Sequence, residues 1–97
     1  MQTPRKDKLH RDPRYATIKL LIEAGHIKSI HEIFLLIPKT VVYKELGVNF
    51  YRFDRAISDP SLFRMRELLE LAEMFGVDAK TIVDMAYEQS LTVKKIK

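Results

Sequence analysis

Residues 39–58, KTVVYKELGVNFYRFDRAIS, constrain this chain more than any other segment. The spacing predicts two short amphipathic helices joined by a tight turn at Gly47, Val48 and Asn49. Glycine reaches positive φ without a Cβ clash, so Gly47 lets the chain reverse directly after the first helix. Asn49 carries a side-chain oxygen that accepts a backbone N–H and so caps the second. Apolar residues recur at Val42, Leu46, Val48, Phe53 and Ile57, and Ala56 is small enough for a helix crossing. The other face of the second helix carries Tyr51, Arg52 and Arg55. This is the sequence form of a helix-turn-helix with an outward face suited to a DNA groove. An ordinary αα-hairpin inside a helical bundle needs the same glycine and the same core spacing, so this segment alone leaves both open.

A chain of 97 residues holds one domain with one modest core. Its apolar fraction of 46% and charged fraction of 31% place it among soluble globular proteins. No apolar run approaches the ~20 residues needed to cross a bilayer, and no membrane partner is expected. The start is charged from Arg5 onwards, unlike a secretory signal. The absence of cysteine removes disulfides and thiolate metal sites and fits a reducing, cytoplasmic setting. The net charge of +4 is unevenly spread. Residues 1–14 and 39–66 are basic, residues 67–90 are acidic, and Lys94, Lys95 and Lys97 make the end basic again. Such polarity would turn the basic centre toward a phosphate backbone. For charge runs taken alone, a solvated surface with chance segregation is the better reading.

Residues 1–12 are polar and aperiodic, which predicts a flexible basic arm. From Pro13 the pattern turns helical through Tyr15, Ile18, Leu21 and Ile22, and Gly25 ends the run. A second helix is expected from Ser29, with Glu32 completing a capping box and Ile30, Ile33, Phe34 and Ile37 on its apolar face. Pro38 closes it and is equally well placed to open the next helix. After the motif, Asp59, Pro60 and Ser61 mark a turn, with Leu62 and Phe63 as anchors. Residues 65–75 form the strongest helix. Leu68, Leu69, Leu71, Ala72 and Phe75 are expected inside it, and Glu67, Glu70 and Glu73 outside. Gly76 stops this helix, and Asp78 caps a last one carrying Ile82, Val83, Met85 and Ala86. Strand alternation is missing throughout. The expected fold is all-α: a compact five- to six-helix bundle over residues 13–90, followed by a basic tail at 91–97.

Enzymatic constellations are weak. His31 and Glu32 begin like a helical zinc-protease motif, but Leu35 stands where the second histidine belongs. His26 and His31 have the wrong spacing for one helix face, and all three histidines are expected at the surface or its boundary. The glycines are isolated helix terminators rather than a phosphate loop, and Glu70 and Glu73 fall on a face that should be solvated. Tyr43, Tyr51 and Tyr87 lack a base spaced to accompany them. Neither catalysis, cofactor nor metal is expected. Phe34, Phe53, Phe63 and Phe75 read as packing. Phe50 and Tyr51 instead occupy the first turn of the second motif helix, where side chains can meet base edges or a thymine methyl. Phe50 can equally fold back on the core. Lys39, Thr40 and Lys44 lie on the first motif helix, whose N-terminus suits a phosphate. Arg52 and Arg55 can supply bidentate donors to guanine, although Arg52 can instead pair with Glu45 or Asp59.

With Leu46, Gly47, Phe53 and residues 67–78, ELLELAEMFGVD, in place, the chain resembles the Cro/C1-type (XRE-like) helix-turn-helix family. The most specific parts are the Gly47 turn with Phe53 six residues on, and Leu71-Ala72 followed by Gly76-Val77. The match covers about residues 29 to 88. The resemblance implies a lambda-repressor-like bundle that binds double-stranded DNA in a sequence-specific way, usually as a homodimeric repressor. Carried onto this chain, its base contacts fall on Asn49, Phe50, Tyr51, Asp54, Arg55 and Ser58. Its backbone contacts fall on Lys39, Thr40 and Lys44, with Arg52 a further candidate. The chain departs from the family in four places. Tyr43 stands where alanine is preferred at the crossing, so it must lean outward or the helices must open. Arg64 stands where Ser or Thr would cap the next helix. Asp54 puts an acid near the groove, able to accept from a cytosine amino group or to fix a neighbouring arginine. The helix near residues 13–25 is additional. Two functions follow: a DNA-binding transcriptional regulator, or a helical protein-interaction module that keeps the fold without DNA. A homodimer would draw on Met85, Leu91 and Val93 of the last helix, or on Ile18 and Ile22 of the added one.

Overall fold

Local capping chemistry sets most of the helix boundaries. The computed structural model describes residues 12–96, so the expected arm lies, apart from Asp12, outside the described residues. Among the described residues six helices follow one another: α1 Arg14–Glu23, α2 Ile30–Ile33, α3 Lys39–Leu46, α4 Phe50–Ser58, α5 Met65–Phe75 and α6 Ala79–Ile96. A short 3-10 turn, Pro60–Leu62, separates α4 from α5, and no strand occurs among the described residues. The architecture is an all-α bundle.

Ser29 forms the expected capping box. Its hydroxyl accepts the Glu32 N–H at 3.2 Å, and the Glu32 carboxylate accepts the Ser29 N–H at 3.1 Å. The helix it opens is short, because tighter i→i−3 bonds take over from Phe34 to Leu36 before Pro38. Gly47 ends α3 at φ +78°, its N–H donating to the Tyr43 carbonyl at 2.9 Å. Asn49 then caps α4 by accepting the Arg52 N–H at 3.2 Å. Both devices are those expected of the turn. Asp59 organises the next reversal by accepting from the Ser61 hydroxyl at 2.7 Å.

The core is built around Phe53, which is fully buried and meets Phe34 and Phe63 edge-on at 5.4 and 6.0 Å. Ile18, Ile30, Ile33, Ile37, Val42, Ile57, Leu71, Phe75 and Ile82 close around it. The added helix α1 belongs to this core. Tyr15 packs edge-on against Phe75 at 5.4 Å, and its hydroxyl donates to Glu45 of α3 at 2.9 Å.

Several expectations are corrected. Leu69 faces out at 47% exposure, whereas Glu67 is 1% exposed. Leu62 also faces out at 41%, and Pro60 takes its place as an anchor beside Phe63. No glycine or proline follows residue 90, so α6 runs on to Ile96 instead of giving way to a tail at 91. Ile18, Ile22 and Met85 are buried within the bundle and are not free to form a dimer contact. The side chain of Val93 lies outside the described residues.

Candidate nucleic-acid interface

Helices α3 and α4 pack through Val42, Leu46, Phe53, Ala56 and Ile57, all buried. Burial of that stripe turns the remaining face of α4 outward. Asn49, Tyr51, Arg55 and Ser58 are exposed, Tyr51 at 77%. Tyr51 and Arg55 stand one helical turn apart and so share a face. The Arg55 guanidinium makes no hydrogen bond or ion pair among the described residues. On α3, Thr40 and Lys44 are exposed, and Lys39 is half-buried. Because α3 starts at Lys39, its first backbone N–H groups have no intrahelical acceptor and its positive dipole end lies on the motif side.

Phe50 takes neither of its two expected positions fully. It is half-buried, with its ring against Tyr43 at 5.1 Å and Tyr51 at 6.0 Å. Tyr43 is half-buried too, tilted against Phe53 at 6.4 Å. A tyrosine is thus accommodated beside the α3–α4 crossing by leaning to its edge, where Phe50 covers it.

Two of the four motif cations are held by acids of the protein. The Lys39 ammonium donates to Asp54 on α4, with side-chain exposures of 36% and 46%. Of the two roles open to Asp54, a cytosine contact or a hold on Arg52 or Arg55, the second is taken by neither arginine: the ammonium at the start of α3 occupies the carboxylate. Arg52 is also engaged. Its guanidinium donates to both oxygens of Glu67 at 2.7 and 2.9 Å, and to the Leu62 carbonyl at 3.2 Å. Glu45 and Asp59, the alternative partners open to it, accept from Tyr15 and Ser61. Arg52 therefore turns toward α5 and is set aside as a backbone contact.

Glu67 is the residue that sequence reasoning missed. Its carboxylate accepts the Arg64 N–H at 2.9 Å, so it caps α5 while gripping Arg52. That cap replaces the Ser or Thr lacking at residue 64. Burial pushes the Glu67 carboxyl up, but the Arg52 and Arg64 hydrogen bonds and nearby positive charge outweigh it and hold the carboxyl below its ordinary value. The same pairing raises Arg52 and keeps it charged. The clue was positional: Glu67 lies four residues before Leu71 and so falls on the buried stripe.

Gln89 of α6 braces the far end of the motif. Its amide donates to the Ile57 carbonyl of α4 at 2.9 Å and accepts the His31 N–H at 3.1 Å. Beside it, Pro60, Phe63, Leu68, Val83, Tyr87 and Leu91 line a shallow apolar groove of about 330 Å³. No cluster of metal-ligating side chains occurs among the described residues, and no helix there is long and apolar enough to cross a membrane. No family model, curated protein or solved structure matches the chain.

Proposed function

We propose that this protein is a sequence-specific DNA-binding regulator of the XRE-like kind, with α4 as the helix that enters the major groove. The observation that carries the reading is the pairing of exposed Tyr51 with Arg55 one turn away, unpartnered among the described residues, on a helix whose other face is fully packed. Arg55 supplies a fork of donors for guanine O6 and N7, and Tyr51 a ring and hydroxyl for base edges. Asn49 and Ser58 extend the contact toward the two ends of α4. Phe50 supports Tyr51 from the motif edge. Thr40, Lys44 and the N-terminus of α3 position the duplex through its phosphates and carry no sequence information.

The reading includes a homodimer on a pseudo-palindromic site, because one helix reads only a few base pairs. With Met85, Ile18 and Ile22 buried, the exposed Tyr87 and Leu91 beside the apolar groove are the surface that supports it. It assigns the protein no catalytic step and places it in the cytoplasm. A helical interaction module is the second reading. It is favoured by the exposed Leu62, Met65, Leu69 and Tyr87, which would suit a protein partner as well as a second copy.

Selection of genomic fragments by the purified chain tests the proposal. The expected result is enrichment of one short, nearly symmetric sequence bound by two chains per duplex. Enrichment that follows composition alone, or no retention of DNA at low salt, would favour the interaction module.

A further inference from the structure

Asp54 places a negative charge on the helix proposed to enter the groove. It shares a row with Phe50 and Ser58, one turn apart on either side, next to the row formed by Tyr51 and Arg55. Its carboxylate is nearly half exposed, and the group it holds is Lys39, the first residue of α3. Of the four cations on the two motif helices, Arg52 is turned inward to Glu67 and Lys39 is neutralised by Asp54. Lys44 and Arg55 remain for the duplex.

Resting on the DNA-binding reading, we propose that Asp54 is a specificity-determining residue that suppresses attachment to DNA of the wrong sequence. A carboxylate takes the place of a phosphate on Lys39 and so cancels one sequence-independent attraction on every duplex. In the groove the same carboxylate is repelled by phosphates everywhere and finds a hydrogen-bond donor only at the exocyclic amino group of a cytosine or an adenine. Sequences lacking that donor leave the acid unpaired, and a penalty against wrong partners raises specificity as effectively as a new attraction does. The pair is only half-buried, so its removal should leave the fold in place.

The test is fluorescence anisotropy of the full chain on a random-sequence duplex and on a selected duplex over a range of salt. Asp54→Asn, Lys39→Gln and the double variant are compared with the parent. Asp54→Asn should bind the random duplex roughly threefold to tenfold more tightly at low salt, with a salt slope steeper by about one, as one released cation requires. Binding to the selected duplex should change less, so discrimination falls. Lys39→Gln, which leaves the Asp54 charge unanswered, should weaken random binding, and the double variant, with neither charge, should return it close to the parent's. If the parent binds and Asp54→Asn leaves random binding unchanged or weaker, Asp54 is no discriminator while DNA binding stands. If neither parent nor variants bind any duplex, both proposals are overturned.

Discussion

Gly47 carries the reversal between α3 and α4 on one backbone conformation. Its φ of +78° is left-handed, and a Cβ built there would meet nothing within 4 Å. A substitution is therefore costly through the backbone alone and not through a clash. Gly47→Ala should lower stability by about 1–2 kcal/mol, the cost of the left-handed region for an L-residue. Gly47→Asn should cost less, since its short polar side chain tolerates that region. Urea unfolding of the two variants checks this. Equal midpoints for parent and Gly47→Ala would mean that the turn does not hold positive φ. At Phe53 the logic is different, because three neighbouring rings and full burial make its volume the thing that matters.

Helices α4 and α5 are joined by a charge pair between Arg52 and Glu67. Glu67 is an acid at 1% exposure, a position that destabilises unless the charge is fully answered. Arg52 and the Arg64 N–H answer it. Because the folded carboxyl titrates below its ordinary 4.5, its contribution is complete above that value and is lost as pH falls through and below it. Glu67→Gln should cost about 1–3 kcal/mol near neutral pH, less than a wholly buried pair because Arg52 stays part exposed. The difference should shrink as the pH falls from about 5 to about 3. Urea midpoints of parent and variant that stay parallel across that range would contradict the pairing. The boundaries of these elements were legible in the sequence wherever one residue controls the backbone, as at Ser29, Pro38, Gly47, Asn49 and Gly76. Side-chain pairing was less legible. Arg52 and Glu67 are fifteen residues apart, and only the fold brings them together. The inward position of Glu67 followed from its phase with Leu71, yet its charge argued for the surface. Leu69 misled in the opposite sense, since its apolar side chain sits off that phase.

Across the whole molecule, the core holds the motif from three sides. Tyr15 of α1 reaches Glu45 on α3, Glu67 of α5 grips Arg52, and Gln89 of α6 fixes the end of α4. A helix held in this way presents Tyr51 and Arg55 in a fixed geometry, which base recognition requires. The helix-turn-helix outline was visible in the sequence because its turn and core spacing are local. Which of its cations stay free was not visible, since Lys39, Arg52 and Arg55 look alike in a sequence. Each copy carries a single α4, so the proposed reading of two half-sites ~34 Å apart calls for a second copy.

The most direct test of the central claim, that the outer face of α4 reads DNA sequence, is a comparison of Arg55→Ala with Lys44→Ala. Both are measured by anisotropy on a selected and a random duplex across salt. Arg55→Ala should weaken the selected duplex by about 1–3 kcal/mol and the random one far less, as loss of one bidentate base contact does. Lys44→Ala should weaken both duplexes alike and reduce the salt slope by about one, as loss of one phosphate contact does. Equal losses on both duplexes for Arg55→Ala would contradict the claim.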